Sequence, residues 1–134
     1  MGVGHIRRTV DLALLSNPAY ATNGVPIGAL EAGAIPLHVH ATISTVFNAA
    51  TTNVLVVGTP ADDDGYATSA AVIAGTAGFK GNLTGALTGV PLAGNTTVYA
   101  KFSQTGTAAT TGKAVIVMTF VNRRELEGTT FPNN

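Results

Sequence analysis

The chain has 134 residues and no cysteine, so its length fits one domain and the sequence excludes disulfides, thiolate metal sites and cysteine nucleophiles. Only 10% of the residues are charged and the formal net charge is zero, whereas about 25% are charged in an average soluble domain. A protein surface with so few charges favours association with other chains. It disfavours nucleic acid as a partner, because nucleic acid is bound through clustered lysines and arginines. We expect no signal peptide and no membrane contact, because no apolar run approaches the ~20 residues of a membrane span.

Residues 1–24 are predicted to form an N-terminal arm. The apolar run at 10–15 suits one turn of helix or a short strand, and a Ser-Asn-Pro triplet stops it. Its leucines, Leu12, Leu14 and Leu15, are expected to dock onto another chain, because a small sandwich has little room to cover them. Deletion of residues 1–17 is therefore expected to leave a folded domain that binds its partner much more weakly.

Residues 25–122 are predicted to fold as a jelly-roll-like β-sandwich, since short strands alternate with turns and no stretch shows a sustained helical period. In the clearest strand, 38–47, the odd positions are apolar apart from Thr45, and the even positions from His38 to Ser44 are polar. The run 54–57 is apolar throughout, which suits a strand covered on both faces. The segment 70–74 suggests a weak strand, and the glycine-rich stretch 75–95 a loop or irregular strands.

Two further strands, 96–102 and 113–121, complete the predicted sandwich. The second is apolar on both faces, so one face is expected to be covered by another chain. Residues 123–134 are predicted to be a polar C-terminal tail, which begins with the basic pair Arg123 and Arg124. The predicted core consists of Phe47, Val56, Phe102, Ile116 and Met118.

His38 and His40 are the sharpest candidates for chemistry. Histidines two positions apart on a strand point to the same side and could share a metal ion. The His-x-His pattern also touches the cupin pattern, but the acidic ligand expected a few residues later is replaced by Ser44 and Thr45. We therefore expect no metal and no other cofactor, and we interpret the two histidines as a surface pair at a subunit contact.

Asp62-Asp63-Asp64-Gly65 looks like a calcium loop, but its spacing fails. With Gly65 at the sixth position of an EF-hand loop, Pro60 and Ala71 fall where oxygen ligands are required. An acidic turn is the simpler interpretation, with a weak ion site as the alternative. No Gly-x-Ser-x-Gly elbow and no phosphate-binding loop is found, so the chain is predicted not to be an enzyme.

Over residues 34–122 the sequence resembles the small jelly-roll decoration or cement proteins on the heads of tailed phages. The resemblance depends on a string of local features: Ile35-Pro36 before a strand that ends in Val46-Phe47-Asn48-Ala49, then Val54-Leu55-Val56-Val57-Gly58-Thr59, Asp62-Asp63-Asp64-Gly65-Tyr66, Thr96-Thr97-Val98-Tyr99-Ala100, and Thr107-Ala108-Ala109-Thr110-Thr111-Gly112-Lys113-Ala114-Val115.

The resemblance implies a structural virion protein that binds the outside of a capsid and bridges major capsid subunits as a homodimer or homotrimer. It implies synthesis in the host cytoplasm, a final place on the outer capsid surface, and no catalytic residue. The expected contact residues are Leu12, Leu14, Leu15, His38, His40, Arg123 and Arg124.

Two other functions remain open at this point. A host-attachment or carbohydrate-binding module would need exposed aromatic platforms, and the chain has no tryptophan, three tyrosines and five phenylalanines. A cupin-type enzyme would need the missing acidic ligand. Metal analysis separates the enzyme from the two binding proteins, and co-sedimentation with capsids separates those two from each other.

Overall fold

A computed structural model describes residues 3–122 of the chain. Within these residues, seven strands carry the fold, together with two one-turn helices and a 3-10 turn at Pro18–Tyr20. The elements in chain order are β1 (Gly4–Asp11), α1 (Leu12–Leu15), β2 (Val25–Leu30), β3 (Ile35–Thr45), β4 (Thr52–Gly58), α2 (Ser69–Val72), β5 (Gly78–Leu83), β6 (Thr96–Thr105) and β7 (Lys113–Val121).

The strands form two antiparallel sheets, which confirms the predicted all-β sandwich. Sheet A has the order β1-β7-β3-β5, and sheet B has the order β2-β6-β4. The pairing is nested: the first strand pairs with the seventh, the second with the sixth and the third with the fifth. Strand β7 also pairs with β3, and β6 also pairs with β4, so the nested strands are rolled into two layers.

The core lies between the two sheets, where one face of each strand is buried. In β3 the odd positions Val39, Ala41 and Ile43 are at most 1% exposed, as the alternation predicted. Strand β4 is covered on both sides, because Val56 is buried as well as its inward-facing neighbours. Such two-sided cover explains why its sequence is continuously apolar.

Four of the five predicted core residues, Phe47, Val56, Ile116 and Met118, are buried. Phe102 is only half-buried, although its ring lies against Phe47 with the centroids 4.8 Å apart. It packs at the margin of the core, not inside it.

The N-terminal segment differs from the predicted arm. Residues 4–11 form β1, which pairs with β7 over eight residues and is an edge strand of sheet A. Its Val10 is fully buried, and Ile6 reaches across to sheet B, where a Cβ atom at Gly28 would lie 2.8 Å from the Ile6 side chain. Within the described residues, this segment is therefore part of the sandwich.

The segment 70–74 also differs from its prediction, because a helical turn replaces the weak strand. The Thr68 side chain accepts a hydrogen bond from the Ala71 amide and so caps α2, which ends where Ile73 adopts a left-handed conformation with φ of 50°. Cap hydrogen bonds of this kind favour a helical start over a strand. The glycine-rich stretch 75–95 contains one strand, β5, and is otherwise irregular. This agrees with the prediction of a loop or irregular strands.

Replacing Phe47 by alanine should lower the free energy of unfolding by about 3–5 kcal/mol, the usual cost of emptying a buried aromatic site. Phe47 is 1% exposed and contacts the ring of Phe102. Urea unfolding measures the loss. Val3→Ala is the surface control, because Val3 is 49% exposed, and equal midpoints for the two variants would contradict the assignment of Phe47 to the core.

Deleting residues 1–11 should destabilise the domain, contrary to what the arm interpretation predicted. The deletion exposes the edge of β7 and removes Val10, whose burial alone is worth about 1.5–3 kcal/mol. Far-UV circular dichroism during urea unfolding reports the effect. Deleting only residues 1–3 leaves β1 intact and should change the free energy of unfolding little. An unchanged free energy of unfolding after deletion of residues 1–11 would show that β1 is dispensable.

Candidate interaction face on the four-stranded sheet

All three histidines of the chain lie on the outer face of sheet A. His5 on β1 and His38 on β3 both stand opposite Thr119 of β7, so the three residues form one row across the sheet. His40 lies two residues further along β3, and Val39 between the two histidines is fully buried. The prediction that His38 and His40 face outward is therefore confirmed.

Phe79 on the neighbouring strand β5 completes this surface. The rings of His38 and His40 meet edge to face with centroids 4.6 Å apart, and the ring of His40 stacks on Phe79 with centroids 5.4 Å apart. Gly81 leaves room for the stack, because a Cβ atom there would lie 2.7 Å from the Phe79 ring. The sequence reasoning missed Phe79, and its one available signal is a lone aromatic residue among glycines.

The middle of the same surface is apolar. Val115 and Val117 of β7 are half-buried, and Val117 stands opposite His40 on one side and Arg7 on the other. We define the histidine face as the outer surface of sheet A formed by His5, His38, His40, Phe79, Val115 and Val117. The exposed Arg7 lies beside the middle of this face, and toward the rim Asp11 stands opposite Lys113.

The surroundings of His38 on the histidine face disfavour its charged form. Burial first, and then the nearby His40 and His5, lower the pKa of His38 below its ordinary value of 6.5. His38 is therefore neutral at physiological pH. The Nδ1 atom of His40 is buried and has no hydrogen-bond partner among residues 3–122. A buried nitrogen without a partner is costly, and the close cover by Phe79 and Gly81 accounts for its loss of water.

The described residues bring together no group of three side chains that could hold a metal ion. The acidic residues 62–64 lie in a tight turn, where the Asp62 amide donates to the Thr59 backbone and side-chain oxygens. Asp63 pairs with Lys101 at 3.4 Å, and a hydrogen bond with the Asp62 side chain raises the pKa of Asp64. This arrangement satisfies the carboxylates locally, as an acidic turn does.

The three leucines of the predicted contact lie against the chain's own core. Leu15 is 6% exposed, and Leu12 and Leu14 are half-buried and pack on the core cluster. The expectation that the sandwich cannot cover these side chains is therefore wrong for Leu15, while the other two keep part of their surface. The predicted contact residues Arg123 and Arg124 lie outside the described residues. Among the described helices, none is long and apolar enough to span a membrane.

Two solved phage structures share this fold. A chain of the structure titled "Cyanophage Pam1 capsid asymmetric unit" is 21% identical, with a TM-score of 0.59, and the match covers 90% of this chain and 84% of that chain. A chain of "Capsid of Ralstonia phage GP4" is 19% identical, with a TM-score of 0.56 and the same coverage. At these identities the likeness concerns the fold. No family model and no curated protein matches the sequence.

The stability of the domain should fall as the pH is lowered through the titration of His38. Because the pKa of His38 is depressed in the folded state, its stabilising contribution is present above the unfolded value near 6.5 and is lost as the pH falls through the folded value. Urea unfolding of the wild type and of His38→Gln, at about pH 7.5 and pH 5, measures the difference. The variant should lose less stability on acidification, and equal losses would contradict the shift.

Proposed function

We propose that this protein is a structural, non-enzymatic component of a phage virion, which binds the outside of the capsid as a homo-oligomer and cements major capsid subunits. The observation that carries the proposal is the fold, which 90% of this chain shares with chains of two phage capsid structures. The local sequence features of the cement proteins support the finer part of the role. The place on the outer surface and the synthesis in the host cytoplasm belong to the same proposal.

The strand order supports a jelly roll with one strand fewer than usual. Jelly rolls have eight strands in two Greek keys. They can be described as one long hairpin of paired strands that is rolled into two sheets, and the nested pairing seen here is the pairing of such a hairpin. The fourth strand, β4, is left without its nested partner, and the chain between β4 and β5 forms α2 instead of an eighth strand. We therefore interpret the sandwich as a seven-stranded jelly roll.

The histidine face is the surface that we assign to the contact between copies. It combines three histidines with an apolar part formed by Phe79, Val115 and Val117, it has no carboxylate among its defining residues, and Phe79 exposes 66% of its surface. Apolar patches of this kind mark interaction sites. The remaining exposed parts of Leu12 and Leu14, with Arg123 and Arg124, are assigned to the capsid contact. The histidine face lacks the dense positive charge that nucleic acid requires.

A host-attachment or carbohydrate-binding module is the second candidate, and the exposed ring of Phe79 favours it. Sugars stack on exposed aromatic rings, so this ring offers one platform. The cement role explains more of the molecule, because it also accounts for the apolar valines beside the ring and for the low overall charge.

The test is co-sedimentation of the purified protein with heads assembled from the major capsid protein of the same genome. We expect saturable binding that changes little between about 0.05 and 0.5 M salt, because screening has little effect on an apolar contact. Phe79→Ser should dissociate the oligomer at least about tenfold more readily, since burying a phenylalanine contributes about 1.5–3 kcal/mol.

The matched control for the Phe79 variant is Ile73→Ser. Ile73 is a similarly exposed apolar residue, 49% accessible, but it follows α2 and lies outside the strands of sheet A. Sedimentation equilibrium gives the oligomeric state of both variants. No binding to heads, together with binding to host cells, would replace the cement role by host attachment; equal effects of the two variants would remove the histidine face from the contact.

A further inference from the structure

The histidine face gathers every histidine of the chain on the surface that we assign to the contact between copies. Histidine is the side chain whose charge ordinarily changes between about pH 5 and pH 8. The three rings act on one another, because both His5 and His40 lie near enough to His38 to repel a charge on it. A drop from neutral to mildly acidic pH therefore changes the charge of this surface.

The charged groups around the histidines offer little compensation for new positive charge. On β1 the exposed Arg7 already places a cation beside the middle of the face, and on β7 Lys113 places a second cation at its rim. On β5 the ammonium group of Lys80 donates to a backbone carbonyl at 3.1 Å. Among the described strands of sheet A, Asp11 carries the one carboxylate. This carboxylate accepts from the backbone amide at the start of α1 at 2.8 Å and stands opposite Lys113, so it is already engaged.

The apolar part of the face makes a charge costlier once a second copy covers it. The ring of His40 stacks on Phe79, and its Nδ1 atom is already out of contact with water. His38 is half-buried, and this burial is the first cause of its lowered pKa. A second copy would remove the remaining water from both rings, and a charge buried without a partner is strongly unfavourable. In a symmetric contact the second copy brings the same cations to the same place.

We propose that the contact between copies through the histidine face depends on pH: it forms at neutral pH, when the histidines are uncharged, and opens in mild acid, when they become protonated. This regulation rests on the self-association proposed above. Because the contact disfavours the protonated form, association releases protons. The contact therefore weakens as the pH falls through the range in which the separated copies bind those protons.

Sedimentation equilibrium of the isolated, full-length protein at about pH 7.5, 6.5 and 5.5 and constant ionic strength measures the dissociation constant of the oligomer across the histidine range. We expect this constant to rise at least about tenfold between the highest and the lowest pH, since each proton released on association changes the affinity by up to about tenfold per pH unit. Far-UV circular dichroism at the same pH values should stay constant. Dissociation that occurs only together with loss of the β-sheet signal would be unfolding, and would overturn the proposed regulation.

The same measurement separates failure of the regulation from failure of the proposed function. A protein that is monomeric at pH 7.5 at every concentration would overturn the homo-oligomer, and its regulation with it. An oligomer whose dissociation constant is the same at all three pH values would overturn the regulation alone and leave the self-association standing.

Replacing all three histidines by glutamine tests whether these side chains carry the pH dependence. The triple variant should have the same dissociation constant at pH 5.5 as at pH 7.5. Asp64→Asn is the control, because a hydrogen bond with Asp62 raises the pKa of Asp64, but its turn lies outside the strands of sheet A. The control should keep the full pH dependence of the wild type. A triple variant that still dissociates in acid, or an Asp64 variant that no longer does, would overturn the assignment to the histidine face.

A permanent charge supplies a second readout, which remains available if the triple variant fails to fold or to associate. His5 is exposed on the edge strand β1, so His5→Lys should fold. Its ammonium group should raise the dissociation constant at pH 7.5 toward the wild-type value at pH 5.5. Ser103→Lys adds the same charge to an exposed position of β6 in sheet B and should leave the constant unchanged. Equal effects of the two lysines would show that net charge governs association, and would overturn the proposal.

Discussion

The pairing of β7 with both β1 and β3 is the interaction on which the molecule depends. Strand β7 stands between the first and third strands, and its inward side chains Ala114, Ile116 and Met118 are fully buried. Its outward side chains form the centre of the histidine face. One strand thus closes the sheet, fills the core and supports the candidate contact surface, because alternate residues of a strand point to opposite faces.

The sequence predicts those parts of the fold in which a period of two is visible. In β3 the alternation of small or branched apolar residues with polar ones gave the correct phase, and hence the outward direction of His38 and His40. In β1 the same alternation is hidden, because an arginine occupies an inward position between Ile6 and Val10. Arg8 is tolerated there since its guanidinium group donates to the Pro26 carbonyl at 2.9 Å.

Other features depend on tertiary contacts that no local pattern records. Phe79 joins the histidine face because β5 pairs with β3 around an irregularity in register, which brings its ring over His40. Leu15 is buried because α1 folds back onto the sandwich after β1. The apolar groove between the turn at residues 59–61 and the loop at residues 87–93 likewise combines two segments that are distant in sequence. The candidate site was therefore predicted in His38, His40 and the apolar outer side of β7, and missed in His5 and Phe79.

The nested strand order also constrains the order of events during synthesis. Gly4 pairs with Phe120, so β1 leaves the ribosome on the order of ten seconds before its partner at translation rates of about 5–20 residues per second. Until then sheet A lacks its central strand, and the outer surface built on that strand does not exist. Newly made chains therefore cannot present the histidine face on polysomes, because that face is complete only after nearly all of the domain has been made.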